Sequence, residues 1–182
     1  AARRIGQGDY SNPVRLKRSD ELGHLAQNID TMRAEIAQRE RLIAHNAYHD
    51  PLTGLGNLAK TRERLAEVVA GGQNGALVTI YLAGDEDLLK ARGQTFYSEV
   101  IAASADRVRS KVPVNALLAY HPGQGFSLVL AGMDSDQAVI ATDSLISLLS
   151  DRMDVQETKL NLEWLAGVVT WPQHSKDPDE LL

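Results

Sequence analysis

One stretch constrains this chain more than any other: Tyr48-His49-Asp50-Pro51-Leu52-Thr53-Gly54-Leu55-Gly56-Asn57. Before it runs a polar segment with a narrow apolar seam. After it begins an ordinary globular α/β pattern. Asp50-Pro51 reads as a helix stop, because a proline ring disfavours the α conformation of the residue before it. Gly54 and Gly56 supply backbone freedom, and Leu52 and Leu55 are apolar anchors that lock a turn onto a core. The stretch therefore reads as a structured turn between two parts, or as a coupling joint that hands motion of the helix to the domain. The joint residues are Asp50, Leu52, Thr53, Gly54, Leu55 and Asn57.

Upstream, the apolar positions Leu22, Leu25, Ile29, Met32, Ile36 and Ile43 follow heptad spacing, with Arg39 at the missing position. As one helix, residues 20–46 would be about 40 Å long. So narrow a stripe needs a partner: a second copy in a parallel dimer, or the chain's own globular part. The repeat is nearer to about 3.5 residues than to about 3.6, which favours the dimer. Further upstream, Gly6 and Gly8 read as the end of a helix. Ser11-Asn12-Pro13 reads as a turn, Val14 and Leu16 as an extended connector, and Ser19 or Asp20 as a helix cap.

The totals exclude several function classes. A net charge of −5 argues against nucleic acid as a partner. With no cysteine, disulfide frameworks and thiolate metal sites are excluded. No apolar run approaches the roughly 20 residues of a membrane-spanning helix, and no signal peptide is visible. Beginning in Ala1-Ala2-Arg3-Arg4, the sequence reads as part of a longer protein.

Downstream, helix is expected over 60–70, a buried strand over 76–82, and helices over 85–91 and 95–109. Strands over 115–120 and 126–131 flank the hairpin turn His121-Pro122-Gly123-Gln124-Gly125. A helix over 135–149 follows, then one or two strands over 160–171 split near Gly167, and a last helix opening at Asp177-Pro178. This order predicts an α+β fold, a mainly antiparallel sheet with helices outside.

Asp50 to Asn57 resembles the D-x-L-T-G-L-x-N-R signature that opens the GGDEF (diguanylate cyclase) domain, with Leu58 where the family has Arg. Ile5, Gly8-Asp9, Val14, Leu16, Asp20-Glu21-Leu22-Gly23, Leu25-Ala26, Asn28 and Met32 are similar to the second half of a HAMP domain. Residues 37–47 resemble the signalling helix that joins such receptors to their output domain. The implied organisation is a HAMP fragment and signalling helix over 1–47, then a GGDEF domain of palm-like nucleotide-cyclase fold over 48–182, lacking its last helix. The HAMP resemblance implies a membrane span upstream and places this chain in the cytoplasmic portion of an inner-membrane protein, touching the membrane only through that missing segment.

The GGDEF resemblance implies condensation of two GTP molecules into cyclic di-GMP, with carboxylates holding magnesium over the phosphates. The naming hairpin aligns with Pro122-Gly123-Gln124-Gly125-Phe126, so both acidic positions are replaced. Gln124 offers a neutral carbonyl and Gly125 no side chain. The family's first metal aspartate falls on Tyr81, its guanine-reading Asn and Asp on Leu89 and Ser98, and its inhibitory R-x-x-D on Pro113 and Ala116. Asp85, Glu86 and Asp87 are an acidic helix start, or, with a shifted alignment, a replacement ligand. His45 and His49 have helical metal-ligand spacing but no third ligand, while His121 and His174 stand isolated.

The expectation is a catalytically inactive, degenerate GGDEF module with no cofactor and no metal. It relays HAMP input, as a homodimer through the arm, to a downstream output domain of the same chain. In this family the usual neighbour is an EAL phosphodiesterase. The alternatives are a cyclase with an atypical site, or a module that binds GTP or cyclic di-GMP without turnover.

Overall fold

The computed structural model describes Tyr10 and residues 20–182. The expected helix end at Gly6 and Gly8, the turn at Ser11-Asn12-Pro13 and the connector at Val14 and Leu16 lie outside these residues. The chain divides into two compact units, Ala1–Ala47 and Tyr48–Leu182.

The first unit carries α1, Glu21–Asn46. Asp20 caps it, its carboxylate accepting from Gly23 N at 3.2 Å. The helix ends at Asn46, as the 20–46 reading expected, and the chain reaches the Asp50-Pro51 stop after it. Leu22, Leu25, Met32 and Ile43 of the heptad seam are exposed, while Ile29 and Ile36 are half-buried. No helix among the described residues is long and apolar enough to cross a membrane.

The second unit opens with α2, Leu58–Ala70, then β1, Gly75–Leu82. Asn57 caps α2 through Lys60 N. A helical run, α3, spans Asp85–Arg109 and is broken at Gly93, whose φ of 80° no helix accommodates. Next come β2, Leu117–His121, β3, Gly125–Ala131, and α4, Ser135–Ser150, which a capping box between Asp134 and Gln137 opens. The short strands β4, Met153–Val155, and β5, Thr158–Leu160, precede β6, Trp164–Trp171, and α5, Pro178–Leu181.

The main sheet has the order β2-β3-β1-β6 and every pairing is antiparallel. Alternation along β1 divides the core. Ala76, Val78, Ile80 and Leu82 pack with Ile101, Val108, Leu145 and Leu149 of α3 and α4. Leu77 packs the other way, with Leu65 and Val68 of α2, Val129, Trp171 and Leu181.

Two expectations are corrected. The strand over 160–171 is not split at Gly167, because Gly167 stays in register opposite Thr79 and β6 runs unbroken. Leu160 instead ends β5, part of a separate two-stranded hairpin that sequence reading missed. Its turn uses Gln156 and Glu157 at positive φ, not the glycine or asparagine that announces such turns. Met153 and Val155 seat this hairpin on Phe96 and Val100 of α3.

Candidate functional site

The β2–β3 hairpin and the first half of α3 enclose the candidate site. The hairpin turns at Pro122-Gly123, where Gln124 N donates to His121 O at 2.9 Å. Proline followed by a residue at positive φ, here Gly123 at 77°, is the order a type II turn uses. Gly125 has a φ of 93°. A Cβ at Gly125 would lie 2.2 Å from the carbonyl oxygen of Ile80 and 2.9 Å from Cα of Tyr81. The backbone of β1 thus fills the space where a side chain at 125 would begin. Phe126 fixes the hairpin in the core, its ring 5.3 Å from Tyr120 and 5.8 Å from Trp164.

A cavity of about 600 Å³ opens beside this turn. Asp50 and Leu52 reach it from the joint, and Asp85, Glu86 and Leu89 from the start of α3. Gln94, Tyr97 and Ser98 follow the Gly93 break, and Tyr120, Pro122 and Gly123 come from the hairpin. A smaller cavity of about 130 Å³ shares Asp85, Tyr97 and Gly123 with it and is closed by Tyr81, Gln124, Gly125 and Trp164. The hairpin residues 122–125, with Tyr81, Leu89 and Ser98, therefore meet around two adjoining cavities. Asp85 and Glu86 meet them there, and Asp87 does not line either one.

The electrostatics are one-sided. Neither cavity is lined by a lysine or arginine. Burial pushes the Tyr97 and Tyr120 hydroxyls above the ordinary tyrosine range, and the Asp85 charge raises both further. Asp50, only 5% exposed, is already engaged within the joint.

That joint is tightly bonded. The Asp50 carboxylate accepts from Thr53 N at 2.8 Å and from Thr53 Oγ1 at 2.7 Å. Asp50 N donates to Leu55 O, and Gly54 N to Asp50 O, both at 2.8 Å. Gly56 bridges to β2: its N–H donates to Leu118 O, and Tyr120 N donates to Gly56 O. Arg109 Nη2 donates to Thr53 O at 2.7 Å. Leu55 and Thr53 are buried, whereas Leu52 stays exposed.

The histidines differ from their sequence reading. His49 is not on α1 with His45; it forms an isolated β-bridge with Gly56. His121 is not isolated. It is 6% exposed, with Nε2 at 3.1 Å from Thr61 Oγ1 and Nδ1 at 3.2 Å from Ser127 Oγ. Burial lowers its pKa from the ordinary 6.5. His174 Nδ1 accepts from Thr170 N at 2.9 Å. The pairing of Tyr97 with Tyr120 and the part played by Trp164 were missed in sequence, because aromatic residues in strands and helices carry no motif.

Residues 47–182 match the family model "Diguanylate cyclase, GGDEF domain". The chain belongs to the GGDEF family. Residues 1–38 match the HAMP domain model. The diguanylate cyclase TpbB of Pseudomonas aeruginosa is 22% identical over 169 residues, 90% of this chain and 39% of that protein. The coiled coil and GGDEF domain of DgcB from Caulobacter crescentus superposes with a TM-score of 0.70 at 13% identity, over 89% of this chain and 88% of that one. The S helix-GGDEF-EAL portion of Vibrio cholerae LapD, bound to cyclic di-GMP, gives a TM-score of 0.64 at 20% identity, over 78% of this chain and 33% of that one. These superpositions establish the α+β GGDEF fold, an antiparallel sheet preceded by a long helix. The chain spans 21% of the length of the first curated relatives it matches.

GGDEF chemistry uses magnesium, and the donors present do not fit it. Gln124, Gly125 and Tyr81, the positions that the sequence resemblance aligns with the family's carboxylates, line the smaller cavity without a charged oxygen, and no group of three His, Cys, Asp or Glu among the described residues could hold a metal ion.

Proposed function

We propose that this GGDEF domain is a signalling module that does not itself condense GTP to cyclic di-GMP. The observation that supports this is Gly125: where the family carries an acid, the Ile80 carbonyl lies 2.2 Å from any Cβ. Phosphoryl transfer at such a site depends on electrostatic stabilisation by metal ions and cationic groups. Gln124 and Gly125 bring no carboxylate to the hairpin for magnesium, and no lysine or arginine lines either cavity to meet a triphosphate.

In this reading the exposed seam of α1 pairs with a second copy, and the 48–57 joint passes movement of that pair into the domain. An output domain further along the parent chain, of the EAL class present in LapD, receives the signal. The parent is a membrane receptor whose HAMP and GGDEF parts face the cytoplasm. Changing the rotational phase of cross-linked arms should change the output of the parent protein; unchanged output at every phase would remove the relay.

The comparisons favour a second reading, a diguanylate cyclase with an atypical site. The matched family carries that activity in its description, TpbB is a diguanylate cyclase, and Asp85 and Glu86 stand at the cavity. Incubation of the dimeric chain with GTP and magnesium separates the two. The first reading expects no cyclic di-GMP above a protein-free control. Time-dependent product that disappears on Asp85→Asn would establish the second. Calorimetry with GTP and with cyclic di-GMP tests binding without turnover, the remaining alternative.

A further inference from the structure

The joint and the hairpin are tied by a chain of hydrogen bonds that runs in one direction. Thr61 Oγ1, on α2, donates to Asn57 O at 3.0 Å. A hydroxyl has one hydrogen, so Thr61 Oγ1 accepts at its other contact, His121 Nε2 at 3.1 Å. The ring proton therefore sits on Nε2. A neutral ring has one N–H, so Nδ1 accepts from the Ser127 hydroxyl at 3.2 Å. Asn57 N in turn donates to Tyr48 O at 3.0 Å. The chain thus links Ser127 on β3, and His121 at the end of β2, to both ends of the joint.

Thr61, His121 and Ser127 are all buried. A second ring proton places a charge among them and turns the Ser127 bond round, so the serine hydrogen loses the acceptor it has. Water is close, because the exposed turn Pro122-Gly123-Gln124 follows His121 directly and can lift the ring outwards. The charged groups of the surrounding elements are held elsewhere. On α2, Lys60 pairs with Glu63, Arg64 with Glu67, and Arg62 with Asp179, all at the surface. In the joint, Thr53 takes the Asp50 carboxylate, the Lys60 ammonium lies over the Tyr48 ring, and His49 bridges to Gly56. β3 carries no titratable residue, Tyr120 of β2 packs on the other face of the sheet, and Tyr81 of β1 lies beyond β3 and opens to solvent.

We propose that His121 is a proton-sensitive latch: its neutral ring ties the hairpin to the joint, and proton uptake unties them. Burial holds the folded pKa below 6.5, so the latch is closed above pH 6.5 and opens as pH falls through the folded value. The latch rests on the relay reading for the movement it would carry, and its test reads no output.

Long-range proton–nitrogen NMR of the whole chain reads the ring directly across a pH series. Neutral His121 should carry its proton on Nε2, titrate below pH 6.5, and take the amides of Tyr48, Thr53 and Asn57 with it at the same midpoint. Thr61→Val removes an acceptor that favours the charged ring and should lower the midpoint. Ser127→Ala removes a donor that favours the neutral ring and should raise it, each by about half to one pH unit. In Thr61→Val the joint amides should stop following the ring while those of Gly123 and Gln124 continue. Thr61→Ser, which keeps the hydroxyl, should behave as wild type, and the wild-type tautomer and joint amides decide the case if Thr61→Val does not fold. A ring protonated at Nδ1, a midpoint at or above pH 6.5, two shifts of the same sign, joint amides that ignore the ring, or unfolding of the whole chain before the ring titrates would overturn the latch. The two readings fail separately: output indifferent to arm phase removes the relay, whereas joint amides that follow His121 uphold the latch.

Discussion

Gly125 decides what the hairpin can become. Its φ of 93° and the 2.2 Å gap to Ile80 O mean that a side chain moves either the turn or β1. Gly125→Ala should lower unfolding free energy in urea by roughly 1–3 kcal/mol, the usual range for overpacking and backbone strain. Gln124→Asp, on the exposed turn, should stay within about 0.5 kcal/mol. Equal stabilities would mean that the hairpin yields freely and that the lost acid is recoverable by mutation. His121 makes a second residue-scale prediction. Its folded pKa is depressed, so its contribution is fully present above the unfolded value near 6.5 and is lost as pH falls through the lower folded value. Denaturation curves at successive pH values should therefore show the stability gap between wild type and His121→Asn narrowing on acidification from pH 6.5. A gap that widens would contradict the assignment of a buried neutral ring held by Thr61 and Ser127.

Among the elements, the joint and the arm make separable predictions. Asp50→Ala leaves the Thr53 N–H and hydroxyl without their acceptor and should cost roughly 1–3 kcal/mol in the same urea assay. A neutral effect would mean that the turn is held by Gly56 and Arg109 alone. For the arm, Leu25→Asp with Met32→Asp should convert a dimer to a monomer in sedimentation equilibrium, because both side chains are exposed on the single chain. A dimer that survives both changes would place the self-association elsewhere. Elements were legible in sequence where apolar periodicity was strong, as in β1, α4 and the Gly93 break, which Gly93 itself announces. The β4–β5 hairpin was not, because Gln156 and Glu157 hold positive φ through tertiary context and carry no turn signature. The end of α1 at Asn46 was legible too, as the close of the helix read over 20–46.

At the scale of the whole molecule, local signals identified the parts, and packing decided their surroundings. The hairpin positions, Leu89 and Ser98 were placed by the GGDEF resemblance, and the fold brings them to one pair of cavities. The lone indole of Trp164 and the tyrosine pair were beyond spacing, since they depend on which strands adjoin. At its hairpin the site offers Gln124 and Gly125 in place of acids, and no lysine or arginine lines either cavity, which is the basis of the claim that it does not assemble magnesium and GTP. Mn²⁺, a spectroscopic stand-in for Mg²⁺, tests that claim directly. In electron paramagnetic resonance of Mn²⁺-GTP titrated with the chain, the account predicts a spectrum that remains that of the free complex at every protein concentration. A saturable protein-bound signal, lost on replacing Asp85, would contradict it.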